Sequence, residues 1–328
     1  MTLVINTTIP EGQILAADSR QTYTNKKGQV RIGSENASKI FQLSETVGAA
    51  TSGMAFLEGK NISQQIKEFL EAEKELKGKS VEDIAKLLFD FFSPKYQALL
   101  REIGENVKRE LENQGNRDVG YEIDKNIVKF KFKDKDGNVE SKDISIQPLE
   151  LLVVGYDRDQ VASGFRIIIP LGQLEGVKEL RKRGEFGASW IGQNDVLVRI
   201  IKGWGVEVKN LPSIKNLPEG QKKAVLEELD KQEYIINWGT MTIQDAVDFC
   251  VLAIETTAAI QRFSDGTKMN PGDFPGVGGA IDVAIITPEK GFVWLQKKKI
   301  SVGENIVDLE KIESFEKLQQ RFKKRNKK

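Results

Sequence analysis

Three residues near the start of the chain, Thr2, Asp18 and Lys39, have the types and the spacing for nucleophilic chemistry. Thr2 opens an apolar run, Leu3-Val4-Ile5. Asp18 closes a second, Ile14-Leu15-Ala16-Ala17, which follows the turn residues Pro10-Glu11-Gly12. Lys39 stands just before Ile40-Phe41, after a loop rich in Asn, Lys and Gly. An initiator methionine is normally removed when the next residue is as small as Thr, so Met1 is expected to leave and Thr2 to become the mature terminus. One residue then carries a hydroxyl and a free α-amine. Such an amine titrates near ~8 and can act as the base for its own hydroxyl. Threonine activated by its own amine is one of the recognised forms of activated nucleophile. A nearby lysine favours the neutral amine and lowers the hydroxyl's proton affinity, and an aspartate holds that lysine and offsets its charge.

The rest of the composition removes the competing chemistries. The chain of 328 residues has no histidine, which excludes Ser-His-Asp and Cys-His mechanisms and any His-ligated metal site. A hydrolase built from it must use Ser or Thr with an amine base, or a pair of carboxylates. The single cysteine, Cys250, cannot form an internal disulfide and fits a reducing, cytoplasmic setting. It sits in Asp248-Phe249-Cys250-Val251-Leu252, the apolar face of an expected helix, and reads as a small core residue. A net charge of +1 gives no field for nucleic acid or an anionic membrane. No apolar run approaches the ~20 residues of a membrane span, and no signal peptide is visible. With 39% hydrophobic and 30% charged residues, the composition is that of a soluble globular protein.

The reactive residues need strands to position them. Two strands joined by a tight turn bring the start of the first beside the end of the second, so Thr2 and Asp18 become neighbours. Residues 2–9, 13–18, 39–43 and 46–52 read as strands of one sheet, with Lys39 at the head of the third. A helix is expected over 56–76, on Ile62, Ile66, Phe69 and Leu70. A second starts after Ser80, an N-cap with Asp83 three residues on, and is expected to break or kink at Pro94 before resuming over 95–113.

Residues 121–146 read as a β-hairpin turning at Asp136-Gly137. With the helix extension before it, this makes an insertion at about 100–147, either a decoration with one apolar face packed down or a contact to a neighbouring subunit. A strand pair follows, Leu151–Tyr156 and Gly164–Ile169, then a short strand over 186–192 and a helix through Val196, Leu197, Ile200 and Ile201. A second insertion, 204–238, contains a charged helix. A long amphipathic helix runs from Ile243 to Phe263 behind Thr242, a candidate N-cap. A Gly- and Pro-rich loop leads to two final strands, Ile281–Thr287 and Gly291–Gln296. From about 306 the chain reads as a charged helical tail, a solvated end or a contact for an acidic partner. Periodicity alone gives a single mixed α and β domain.

Several stretches together resemble the proteasome β-type subunits and their bacterial relatives, the HslV and Anbu-type proteins, which are N-terminal nucleophile (Ntn) hydrolases. The resemblance rests on Thr2, on Leu15-Ala16-Ala17-Asp18-Ser19-Arg20 with Thr22, on Ser38-Lys39-Ile40-Phe41, and on Gly53 in Thr51-Ser52-Gly53-Met54-Ala55. Val153-Val154-Gly155-Tyr156-Asp157 is similar to the family's central strand, and Gly278-Gly279-Ala280-Ile281-Asp282-Val283 to the start of its last one. The resemblance implies an α+β fold, a four-layer αββα sandwich of two antiparallel sheets between helix layers. It also implies a threonine-type peptidase with Thr2, Asp18 and Lys39 catalytic and no cofactor. The Gly53 backbone N–H would stabilise the tetrahedral oxyanion, typically worth ~3 kcal/mol. Thr22 and Thr51 would lie along the substrate cleft. The implied substrate is a peptide or unfolded protein, and the implied assembly a homo-oligomeric ring or spiral.

Two stretches depart from the pattern. The family's Gly-Ser-Gly is replaced by Ile191-Gly192-Gln193-Asn194, and its Asp-x-x-Ser by Phe274-Pro275-Gly276-Val277. Gln193 can replace one hydroxyl's hydrogen bond; Val277 cannot, and Asp273 lies one residue from the expected aspartate. Arg20, Gln193 and Asp273 are thus the candidate supporting groups. The altered support keeps two other functions open: a non-catalytic assembly or binding subunit on the same scaffold, and an Ntn amidase acting on small amides. No P-loop is present, so any ATP-driven unfolding would come from a separate ATPase chain.

Overall fold

The first strand, Leu3-Val4-Ile5-Asn6-Thr7-Thr8-Ile9, is mostly β-branched and buried along its whole length, so neither face meets water and no clean alternation marks it. The computed structural model describes residues 2–25, 28–268, 270–272, 274–302 and 305–307. It is a mixed α and β protein with antiparallel sheets. Among the described residues, those up to Gln296 form one compact unit and those from Lys297 a second.

In the first unit, β1 (Leu3–Ile9) turns at Pro10-Glu11 into β2 (Gly12–Ala17). An exposed hairpin follows, β3 (Gln21–Thr24) with β4 (Val30–Ser34), and then β5 (Ile40–Gln42) and β6 (Val47–Gly53). Helices α1 (Ile62–Ala72) and α2 (Val81–Asn113) come next. A three-stranded sheet, β7 (Arg117–Asp124), β8 (Ile127–Lys133) and β9 (Val139–Ser145), is followed by β10 (Leu149–Tyr156), β11 (Ala162–Ile169), β12 (Val177–Glu179) and β13 (Gly187–Gly192). Helices α3 (Asp195–Lys202), α4 (Glu219–Asp230) and α5 (Ile243–Phe263) lead to β14 (Asp282–Thr287) and β15 (Gly291–Gln296). In the second unit, Ile300–Val302 pairs antiparallel with Asn305–Val307. The expected tail helix otherwise lies outside the described residues.

The strands read as one sheet belong to two. One five-stranded sheet has the order β13-β1-β2-β14-β15, and the other β12-β11-β10-β6-β5. Sequence patterning could not separate them, because β1, β2 and nearly all of β6 are buried on both faces. Val4, Leu15 and Ala17 of the first sheet pack with Ala50, Leu152 and Val154 of the second. The outer face of the first, with Leu3, Ile5, Ile14 and Ala16, packs on Leu197 of α3 and on Ala246, Cys250 and Ile254 of α5. The outer face of the second, with Ala49, Leu151 and Val153, packs on Ile66 and Phe69 of α1 and on Ile84, Leu88 and Phe92 of α2.

The α2 helix is unbroken at Pro94. The proline ring is on the solvent side, between the buried Phe92 and Tyr96, so the carbonyl it leaves without an N–H donor faces water. The expected hairpin has a third strand, β7, and the sheet lies on the C-terminal half of α2. Gly104 is what lets it approach: a Cβ there would stand 2.4 Å from the Tyr121 ring. Val128 and Phe130 are fully buried in the same cluster, while β9 is largely exposed.

Candidate active site

The β1–β2 register sets Asp18 opposite Leu3. The Asp18 N–H donates to Leu3 O at 3.3 Å, and the Leu3 N–H donates to Asp18 Oδ1 at 3.0 Å. On the other side of β1, the Gln193 N–H donates to Thr2 O at 2.6 Å, continuing the ladder in which Leu3 faces Gly192. Thr2 is therefore fixed by the strands on both sides of it.

Lys39 reaches this point from the opposite sheet. It stands one residue before β5, where its carbonyl accepts the Thr51 N–H at 2.9 Å. Its Nζ donates to Asp18 Oδ1 at 2.8 Å and to Arg20 O at 2.6 Å. The Arg20 and Gly278 N–H groups donate to Asp18 Oδ2 at 3.1 and 3.0 Å. The carboxylate thus accepts four hydrogen bonds at a side chain that is 0% exposed, and the lysine beside it is 7% exposed. A buried ion pair persists only when its remaining hydrogen-bonding capacity is met in this way.

One cavity of about 420 Å³ is lined by Thr2, Arg20, Thr22, Lys39, Thr51 and Gly53. Asp18 lies behind Lys39 and does not reach the wall. Gln193 lines a different cavity, of about 390 Å³, with Asp195 and Gln261, and its backbone N–H holds Thr2 O. Asp273 lies outside the described residues. Val277 is 1% exposed, in the apolar cluster under the first sheet, and its N–H donates to Gln261 Oε1 at 2.9 Å. Arg20 braces the rim: its Nε donates to both Glu35 oxygens, at 3.0 and 3.1 Å, and its Nη1 to Pro275 O at 2.9 Å.

Gly53 has φ +82°, and a Cβ there would stand 2.0 Å from Pro148 O. By strand alternation, the Thr51 and Gly53 N–H groups of β6 fall on one edge. Thr51 spends its N–H on Lys39 O; Gly53 lies two residues on, past the end of β5, and lines the cavity.

Three groups at the site were not singled out from sequence. Gly192, at φ +85°, would place a Cβ 1.9 Å from Thr2 O, so any side chain there would displace Thr2. Gly278 both donates to Asp18 and accepts the Ser19 and Arg20 N–H groups, at 3.0 and 2.7 Å. Ser52 lines the cavity and is 4% exposed. Each acts through a partner remote in sequence, and no local pattern marks such a residue.

Cys250 is not part of the site. It is fully buried on α5, shares a 3.2 Å hydrogen bond with Thr7 Oγ1, and burial pushes its thiol up to about 12. At pH 8 the native protein should take up no iodoacetamide, and the urea-unfolded protein one equivalent per chain, read by intact mass. Alkylation of the folded protein at the rate of a free thiol would contradict this environment.

Among the described residues, no helix is long and apolar enough to cross a membrane. No protein-family model matches the chain, and no curated protein matches it.

Proposed function

We propose that the protein is an N-terminal-threonine hydrolase, a proteasome-like endopeptidase that acts after Met1 is removed. One observation carries the reading: Lys39 lines the same cavity wall as Thr2, and the buried Asp18 holds it from behind at 2.8 Å. The order of layers, helices on the outer face of each of two facing antiparallel sheets, supports the αββα sandwich of that family. In the reaction, Thr2 Oγ attacks an amide carbonyl carbon and its proton passes to the α-amine. Lys39, held by Asp18, keeps that amine neutral beforehand. The Gly53 N–H receives the oxyanion. As the C–N bond breaks, the ammonium returns the proton to the leaving amine. Water, deprotonated by the same amine, then attacks the ester, and Thr2 Oγ leaves with that proton. Thr22 and Thr51 flank the chain of the substrate, a peptide or unfolded protein. We further propose a cytoplasmic homo-oligomer, ring or spiral, fed where needed by a separate ATPase.

Val277 favours a second reading. Its stretch gives an apolar, buried side chain where the family keeps a hydroxyl, which suits a non-catalytic subunit of the same build. Intact mass separates the two. The peptidase should lack Met1 and gain one epoxyketone or β-lactone adduct on Thr2, and Thr2→Ala should gain none. Retained Met1 selects the non-catalytic subunit. Turnover of small amides without turnover of peptides selects an amidase.

A further inference from the structure

The buried hydroxyl of Ser52, in the cavity wall that Thr2 also lines, has no hydrogen-bond partner among the described residues. Leaving such a group unpaired typically costs ~1–3 kcal/mol, so its persistence calls for a cause. Its direction is set by β6. Ser52 shares the strand face of Ala50, which points between the two sheets into the cluster that contains Val4 and Ile191. It comes to the point where Thr2 is seated: a Cβ built on Gly192 would stand 1.9 Å from Thr2 O and 3.2 Å from the Ser52 Cβ. Ser52 also lines the cavity that holds Thr2 and Lys39. The stretches of the chain at 191–194 and 274–277 offer no serine or threonine hydroxyl for this purpose.

We propose that Ser52 Oγ is the acceptor that seats the mature α-amine of Thr2. This rests on the N-terminal-threonine reading given above and names a positioning residue for it. Once Met1 is gone, the nitrogen of Thr2 gains N–H groups that need acceptors. An N–H donated to Ser52 Oγ satisfies the orphaned hydroxyl and turns the nitrogen lone pair toward Thr2 Oγ. The bond is stronger to the ammonium than to the neutral amine, so it holds the amine's pKa higher than it would otherwise be. Ser52→Ala removes it. Ser52→Cys keeps nearly the same volume but supplies only a weak sulfur acceptor.

The test uses the full-length mature protein and two readouts. The first is the pH dependence of acetylation of the Thr2 α-amine, followed on the N-terminal peptide by mass spectrometry. The second is steady-state peptide hydrolysis. Both variants should lower the amine's apparent pKa by roughly half a pH unit or more. Both should cut kcat by about tenfold with KM nearly unchanged, as for loss of one orienting hydrogen bond. If both variants keep the parent amine pKa and kcat while the parent hydrolyses peptides, Ser52 is not the partner and the peptidase reading stands. If the mature parent hydrolyses nothing but the amine pKa still falls in both variants, Ser52 keeps its role and the peptidase reading fails. A parent that retains Met1 overturns both.

Discussion

Replacing Asp18 with alanine is expected to cost the protein roughly 3–5 kcal/mol of stability and to abolish hydrolysis. The substitution removes one acceptor and leaves four donors behind: the Leu3, Arg20 and Gly278 N–H groups and Lys39 Nζ, all within 3.1 Å of the carboxylate. No water reaches an Asp18 side chain that is 0% exposed, so the donors have nothing to turn to. Lys39 keeps its bond to Arg20 O but loses the charge that compensates its own. Native domains are stable by only ~5–15 kcal/mol, so the loss is a large share of the total. Asp18→Asn should cost less, because its remaining oxygen still serves part of the set. It should lose ~10²–10⁴ in kcat, as when a group that tunes a general base is neutralised. Urea midpoints at constant slope read the stability, and peptide turnover reads the activity. If Asp18→Ala stayed within ~1 kcal/mol of the parent, the four-donor account of this carboxylate would be wrong.

The chemistry of that cluster was legible in the sequence, but its route of assembly was not. Thr2 and Asp18 become neighbours through a two-strand hairpin, which Pro10-Glu11-Gly12 between two apolar runs already signals. Lys39 was expected to join them along one sheet, and instead it crosses from the sheet facing them. The difference is not local. Ile40 and Ala50, like Val4 and Leu15, are buried, and a run with no exposed face does not say which sheet it belongs to. Two helix starts were read closely, because their signals are local, whereas α1, expected over 56–76, runs from Ile62 to Ala72 behind the cap Asn61, with Phe56–Leu57 and Lys60–Asn61 paired as short strands before it. Thr242 receives the Asp245 N–H, and Asp245 in turn receives the Thr242 N–H, at the start of a helix that begins at the expected Ile243. Ser80 caps α2 by accepting the Asp83 N–H at 3.1 Å, and its hydroxyl donates to Asp83 Oδ2 at 2.7 Å. Pro94 misled for a complementary reason: whether a proline breaks a helix depends on which side of it meets water, and the packing of α2 decides that. Ser52, Gly192 and Gly278 escaped notice because each matters only through an atom of Thr2 or Asp18 far along the chain.

Gly53→Ala separates backbone strain from catalysis when it is paired with a second glycine. Gly53 and Gly59 both have positive φ, +82° and +73°, so alanine at either bears the left-handed penalty of about 1–2 kcal/mol. At Gly59 a Cβ would meet nothing within 4 Å, and the penalty ends there. At Gly53 it would fall 2.0 Å from Pro148 O, the same oxygen that accepts the Met54 N–H at 3.0 Å. Neither backbone can yield alone, since Gly53 faces Leu149 in the β6–β10 ladder. The end of β6 must therefore shift, at a further ~1–3 kcal/mol of the kind overpacking exacts. That shift swings the Gly53 N–H, which follows the Thr51 N–H on one strand edge. Loss of one oxyanion donor lowers kcat by ~10²–10³. Gly59→Ala should therefore lose about 1–2 kcal/mol and keep its turnover, whereas Gly53→Ala should lose more stability and nearly all of its kcat. A Gly53→Ala protein that was destabilised yet hydrolysed peptides within about tenfold of the parent would move the oxyanion donor elsewhere in the cavity wall. The Ser52 N–H is not available for that role, because the alternation that turns its neighbours toward β5 turns it toward β10, where Ser52 faces Glu150.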